Sequence, residues 1–308
     1  MRKAIRPRKV GRACGKIILS GNTANRFGHR ALAVPVDLHI TAVWDKSDIT
    51  QEDLRVVWPG QKEGEVWLTT VRNITKLIEA KTGPLSGKLT IRNTLPLGKG
   101  MGSSTAIVVA LARCFLGENC KDEALAIEDI INKGHSGLDF AAIWEERPVV
   151  IQGDKYEFIE LPKGLQRGVL VDTGLPTAPT SIIIGRLKER LLKEEVLMDS
   201  VETIGNCTER LLSGEDPLTV FPDHYKGLVD LGVVPPQVQS IIEKIQQSGG
   251  AAKAARFGGE TGGAGMLFAV HPKDNVLEEI VGSTPVPLVY DPSLRRFVSR
   301  AGSGSKRS

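Results

Sequence analysis

Pro96-Leu97-Gly98-Lys99-Gly100-Met101-Gly102-Ser103-Ser104-Thr105-Ala106 is the stretch that decides the reading. Three glycines alternate through it, two serines follow, and an apolar run from Ala106 to Leu116 begins at once. Lys88 to Asn93, just ahead, alternates like a short strand, and the run behind is long enough for about three turns of helix. Glycines let backbone N–H groups approach a ligand where a Cβ would collide. A helix start adds unsatisfied N–H groups and a partial positive charge. Together these features describe an anion site, and phosphate is the fitting occupant. Ser103 or Ser104 is expected to cap the helix and to offer a hydroxyl to a metal ion. The pattern lacks the terminal Gly-Lys-Ser/Thr of a P-loop, and its alternating glycines do not follow the dinucleotide fingerprint.

Outward from this loop, the 308 residues suffice for one large domain or two modest ones. Charged residues at 25% and hydrophobic residues at 41% suit an ordinary globular chain. The net charge of +4 comes from crowded ends: Arg2, Lys3, Arg6, Arg8, Lys9 and Arg12 at one, Lys306 and Arg307 at the other. Without them the remainder is slightly acidic, so the charge reads as frayed basic ends and not as a nucleic-acid-binding face. Cys14, Cys114, Cys120 and Cys207 show no C-x-x-C spacing, which argues against zinc and against a disulfide framework; Cys14 and Cys114 read as buried thiols. No apolar run reaches the roughly 18 residues of a membrane span, and the start lacks a hydrophobic signal core, so a cytoplasmic protein is expected.

Gly15 to Ser20 reads as a short buried strand, and Leu32 to Ile40 as a half-buried one in which Pro35 argues for an edge or a bulge. Leu54 to Trp58 is a strand, Val71 to Ala80 a helix, Ala124 to Ile131 a helix broken by Lys133-Gly134, and Pro148 to Gln152 a strand. A boundary falls near Pro162-Lys163-Gly164. Beyond it come a strand at Gly168–Asp172, helices from Ser181 to Leu212, and a helix from Pro235 to Gln247. A second Gly-rich loop (Arg256 to Gly265), a strand (Met266 to Val270), a helix (Lys273 to Val281) and a last strand (Val286 to Tyr290) complete an α+β pattern.

The Pro96–Ala106 stretch resembles the ATP-phosphate motif of the GHMP kinases. Gly15-Lys16-Ile17-Ile18-Leu19-Ser20-Gly21, continued by Gly28-His29-Arg30-Ala31-Leu32-Ala33, resembles the family's first motif in the form found in mevalonate kinases. Those enzymes carry Gly-Glu-His where this chain has Gly21-Asn22-Thr23, which leaves the identity of the acceptor open. Glu128 stands eleven positions before Asp139 of Ser136-Gly137-Leu138-Asp139, the family spacing between the Mg²⁺ carboxylate and the catalytic Asp. Gly134-His135 replaces the expected small-Pro pair. Phe257 to Gly265 has the position of the third motif, rearranged around Glu260. Asp172-Thr173-Gly174-Leu175-Pro176 resembles a run after which a Thr approaches substrate, making Thr177 and Thr180 candidates.

The resemblance implies an α+β, two-lobed GHMP kinase-like fold. Its N-terminal, ATP-binding half (1–163) would be ribosomal-protein-S5-like and its C-terminal half (164–300) ferredoxin-like, with 301–308 a disordered tail. ATP phosphates would be held by Pro96, Gly98, Lys99, Gly100, Met101, Gly102, Ser103, Ser104 and Thr105, and Mg²⁺ by Ser104 and Glu128. Asp139 would accept or orient the acceptor's proton, and Lys16 would pair with Asp139 and stabilise the transferring charge. Asn22, Thr23, His29, Thr177 and Thr180 would face the acceptor. The implied reaction moves the γ-phosphate of ATP to an alcohol, with mevalonate giving 5-phosphomevalonate for isoprenoid precursor synthesis. Phosphomevalonate, homoserine, threonine or a sugar are alternative acceptors, and a nucleotide-binding regulator without turnover is the alternative of another class. The implied partners are ATP and a small alcohol, with neither nucleic acid nor membrane; a homodimer stays open.

Overall fold

The computed structural model of the chain describes residues 8–22, 24–46, 53–62, 64–178, 180–273, 276–281 and 285–299. Two compact units emerge: Met1–Gly15, Leu38–Pro96 and Gly102–Glu145 form the first, and Lys16–Asp37, Leu97–Met101 and Glu146–Ser308 the second. Strands β1 (Lys9–Ser20) and β2 (Ala31–Asp45) contribute residues to both.

The first unit adds β3 (Leu54–Val57), α1 (Val66–Thr82), β4 (Gly87–Asn93), α2 (Ser103–Leu116), α3 (Lys121–Ile131) and α4 (Leu138–Glu145). β3 runs parallel to β4, and β4 pairs antiparallel with β2 from Ile40↔Asn93 to Asp45↔Lys88. Every residue of α2 from Thr105 to Ala112 is buried, and α1, α3 and α4 pack around it. Apolar side chains on all faces make such a helix stable only when enclosed. It stops at Gly117, whose N–H donates to the Arg113 carbonyl at 3.0 Å and whose positive φ of 97° turns the chain out of the helix.

The second unit holds β5 (Val149–Gln152), β6 (Lys155–Phe158), β7 (Arg167–Asp172), α5 (Thr180–Leu191), α6 (Leu197–Leu212), α7 (Pro217–Asp230), α8 (Pro236–Gln247), β8 (Ala251–Ala254), β9 (Met266–Val270), α9 (Val276–Val281), β10 (Val286–Asp291) and β11 (Arg296–Ser299). Its strands lie in the order β2-β11-β10-β7-β9-β8, with β5 also paired to β2. Val201, Ile204, Leu228, Val238, Ile242 and Leu267 belong to the core between its helices and sheet. Burying such side chains is worth about 1.5–3 kcal/mol each.

Several expectations need correcting. The first strand starts at Lys9, not Gly15. The basic residues that read as a frayed end have partners there: Arg8 with Asp45 at 3.1 Å, Lys9 with the Phe115 carbonyl, Arg12 with His39 at 2.9 Å. Arg2, Lys3, Arg6, Lys306 and Arg307, like the tail 301–308, lie outside the described residues. Pro35 marks no edge, because β2 pairs with β1, β4, β5 and β11; it falls between the β5 ladder at Ala31–Ala33 and the β4 ladder at Ile40–Asp45. α7, which the sequence pattern does not reveal, runs on through Pro222, and Asp216 caps its start by accepting from Leu218 N at 2.9 Å. β8 is Ala-Ala-Lys-Ala, with little intrinsic strand preference. β11 follows the strand expected to be last, after a turn in which the Asp291 carboxylate accepts from the Ser293 and Leu294 amides. All four cysteines are buried and free, as expected for the two named above. Among the described residues, no helix is long and apolar enough to cross a membrane.

Candidate nucleotide-binding and catalytic site

The loop from Leu97 to Met101 belongs to the second unit and is held there carbonyl by carbonyl. Arg256 Nη1 donates to Gly98 O, Met266 N to Lys99 O at 3.0 Å, Lys16 Nζ to Gly100 O at 3.1 Å, and Lys16 N to Met101 O at 3.1 Å. In a trans peptide the N–H points opposite to the C=O. Engaging these four carbonyls therefore turns the amides of Lys99, Gly100, Met101 and Gly102 the other way, and among the described residues none of the four donates a backbone hydrogen bond. A row of outward amides fits a phosphate chain. Gly98, Gly100 and Gly102 all have positive φ (72°, 84° and 74°). Gly100 is the most constrained: a Cβ there would lie 2.7 Å from Arg256 Cβ and 3.2 Å from Ala255 O. Lys99 is anchored by an ion pair with Asp172 at the end of β7.

The loop runs straight into α2, in the first unit. Here the capping expectation fails. Gly102 is the N-cap in the left-handed conformation, and no side chain caps the helix. The helix begins at Ser103, earlier than the apolar run suggests, so both serines lie inside its first turn and point elsewhere. Ser103 Oγ donates to the Pro96 carbonyl at 3.0 Å, and Ser104 Oγ to Asn132 Oδ1 at 2.8 Å. Thr105 Oγ1 donates to Glu128 Oε1 at 2.7 Å, and Asn132 Nδ2 to Glu128 Oε2 at 2.9 Å. Asn132 thus bridges the two residues expected to hold Mg²⁺. Glu128 is 1% exposed. Burial pushes its carboxyl above the usual range, the bonds from Thr105 and Asn132 pull it back, and the Asp139 charge raises it again. Asp139, half-buried in the first turn of α4, therefore lies close enough to Glu128 to act on it.

One buried carboxylate with a neighbouring hydroxyl suits Mg²⁺, which binds through one or two carboxylates, waters and substrate phosphates. No cluster of three or more His, Cys, Asp or Glu able to hold a metal occurs among the described residues.

The second glycine-rich loop, Arg256 to Gly265, is joined to the turn after β7. Thr173 N and Oγ1 both donate to Gly265 O, Ala264 N donates to Thr173 Oγ1, and Gly265 N to Gly174 O. Thr177 Oγ1 contacts Thr261 at 2.9 Å, so this candidate acceptor residue sits on the loop. Thr180 opens α5, and Thr23 lies outside the described residues. Asn22 is half-buried, and its Oδ1 is enclosed without a hydrogen-bond partner among the described residues. His29 is engaged elsewhere: it lies 3.3 Å from Glu202 and packs on Gly205 of α6, where a Cβ would fall 2.2 Å from its ring.

Asn132, Asp172 and Arg256 went unread as site residues. Asn132 had a signal, standing four residues after Glu128 on the same helix face. The other two bind loop partners distant in sequence, which no local pattern reveals.

A family model for the GHMP kinases N terminal domain matches residues 69–144. The mevalonate kinase of Pyrococcus furiosus is 25% identical over 90% of this chain and 94% of its own length. That of Thermococcus gammatolerans is 26% identical over 91% and 95%. The crystal structure of Methanococcus jannaschii mevalonate kinase superposes with a TM-score of 0.69 at 16% identity, covering 92% of this chain and 95% of that one. With this fold, the chain carries a segment that matches the GHMP kinases N terminal domain, and along nine-tenths of its length it is similar to the mevalonate kinases.

Proposed function

We propose that this chain is an ATP- and Mg²⁺-dependent kinase that phosphorylates the primary alcohol of mevalonate, giving 5-phosphomevalonate and ADP. The observation carrying the reading is the loop whose four carbonyls are tied to scaffold, leaving amides for a triphosphate. The acceptor assignment draws on the two curated relatives and on the first-motif run from Gly15 to Ala33. In the proposed reaction the bond between the γ-phosphorus and the β,γ-bridging oxygen breaks, and a bond from the alcohol oxygen to that phosphorus forms. ADP leaves with the bridging oxygen, and the alcohol's proton passes to the Asp139 carboxylate. Lys16, fixed at the Gly100 carbonyl, contributes positive charge beside the loop. Ser104 and Glu128 would hold Mg²⁺, which when bound offsets phosphate charge; Asn132 orients both.

The test is an ADP-release assay over a panel of alcohols: mevalonate, phosphomevalonate, homoserine, threonine and galactose. Mevalonate should give the fastest turnover, with 5-phosphomevalonate as product. Turnover confined to another alcohol would make that alcohol the acceptor, and ATP binding with no ADP release across the panel would make the chain a regulator. A narrower expectation concerns the metal. Ser104→Ala should raise the Mg²⁺ concentration for half-maximal activity by about tenfold, the loss of one ligand. An unchanged Mg²⁺ titration removes Ser104 from the metal site.

A further inference from the structure

Lys253 is the third residue of β8, 0% exposed, with Phe268 of β9 opposite it. Its Nζ donates to the Ile18 carbonyl at 2.7 Å, two residues past Lys16 on β1. Lys16 itself is 3% exposed and bonded to the Gly100 carbonyl of the phosphate loop. Two buried amines thus act on neighbouring points of one strand, close enough for Lys253 to feel the charge of Lys16. From α7, His224 also faces Lys253; it is 0% exposed, and neither ring nitrogen has a hydrogen-bond partner among the described residues. β9 carries no ionisable residue, and among the described residues no ionisable group of α8 acts on the amine. Among the described residues no carboxylate acts on the Lys253 amine. Burial, and then Lys16, push the Lys253 amine down to about 7; burial, and then Lys253, push His224 well below its ordinary value, leaving it neutral.

A buried ammonium without an acid partner is costly, and an anion close by relieves the cost. The anion this unit is shaped to receive lies on the loop that Lys16 touches. We propose that Lys253 is a positioning residue that, with Lys16, forms a two-amine support beneath the phosphate loop, and that its protonation is coupled to nucleotide binding. This rests on the reading of the loop as a nucleotide-phosphate site. The sign follows from charge. Bound phosphate favours the ammonium form of Lys253, so binding draws in a proton near neutral pH. Affinity is greatest when Lys253 is already protonated and weakens as pH rises through its titration. A merely structural lysine would move no protons.

The experiment is calorimetric titration of the full chain with ADP and Mg²⁺ in two buffers of different ionisation heat. At about pH 7.5 the wild type should take up a fraction of a proton per ADP, and its Kd should rise about threefold to tenfold between about pH 6.5 and about pH 8.5. Lys253→Met should lose the Lys253 share of both effects, and Lys253→Arg, permanently charged, should bind ADP tightly with little dependence on pH. Equal proton uptake in wild type and Lys253→Met overturns the proposal. Should neither variant fold, the wild type alone decides: ADP binding without proton uptake overturns the proposal and leaves the kinase reading standing. No ADP binding at all removes both.

Discussion

Asp139→Ala should lower kcat by about a thousandfold while leaving the Kd for ADP within about twofold, as loss of a group acting in the transition state requires. Asp139 sits in the first turn of α4, where the helix dipole favours its negative charge, and its charge raises the neighbouring Glu128 carboxyl. Turnover that collapses while ADP still binds separates this outcome from general damage. Isotope-labelled ATP and a product assay measure turnover, and calorimetry measures nucleotide binding. Turnover within tenfold of wild type would exclude Asp139 from proton handling.

Gly100→Ala should weaken nucleotide binding by about thirtyfold or more with the fold intact. The left-handed conformation costs an alanine about 1–2 kcal/mol. Beyond that, the new Cβ would lie 2.7 Å from Arg256 Cβ and 3.2 Å from Ala255 O, so either the loop or the end of β8 must shift. A shift breaks the register in which Arg256, Met266 and Lys16 take the loop's carbonyls. Gly117→Ala is the matched control. It too has a positive φ, 97°, but a Cβ there would meet nothing within 4 Å. It should cost stability of a similar backbone origin and leave ADP affinity unchanged. Equal ADP affinities in the two variants would mean that the loop's shape does not matter to the nucleotide.

The sequence carried much of this site because its key groups lie in short runs. The alternating glycines from Gly98 to Gly102 and the apolar α2 behind them form one continuous segment, and the eleven-residue spacing put Glu128 and Asp139 within electrostatic reach. Local pattern did not reveal what the chain brings from afar. Asp172 to Lys99, Arg256 to Gly98 and Lys253 to Ile18 join residues 73, 158 and 235 positions apart. Turn chemistry likewise misled at Ser103 and Ser104, where a helix expected to need a side-chain cap starts from a glycine. The alanine-rich β8 pairs because the sheet is present, not because its residues favour a strand.

The inward-turned carbonyls of Gly98 to Met101 have a consequence for how a ligand is met. Under the nucleotide reading proposed above, a cradle braced by its own scaffold has little disorder to lose on association. Recognition should then proceed as docking onto a finished surface, with discrimination among anions set by fit to a fixed curvature and not by the loop's ability to mould itself around its guest.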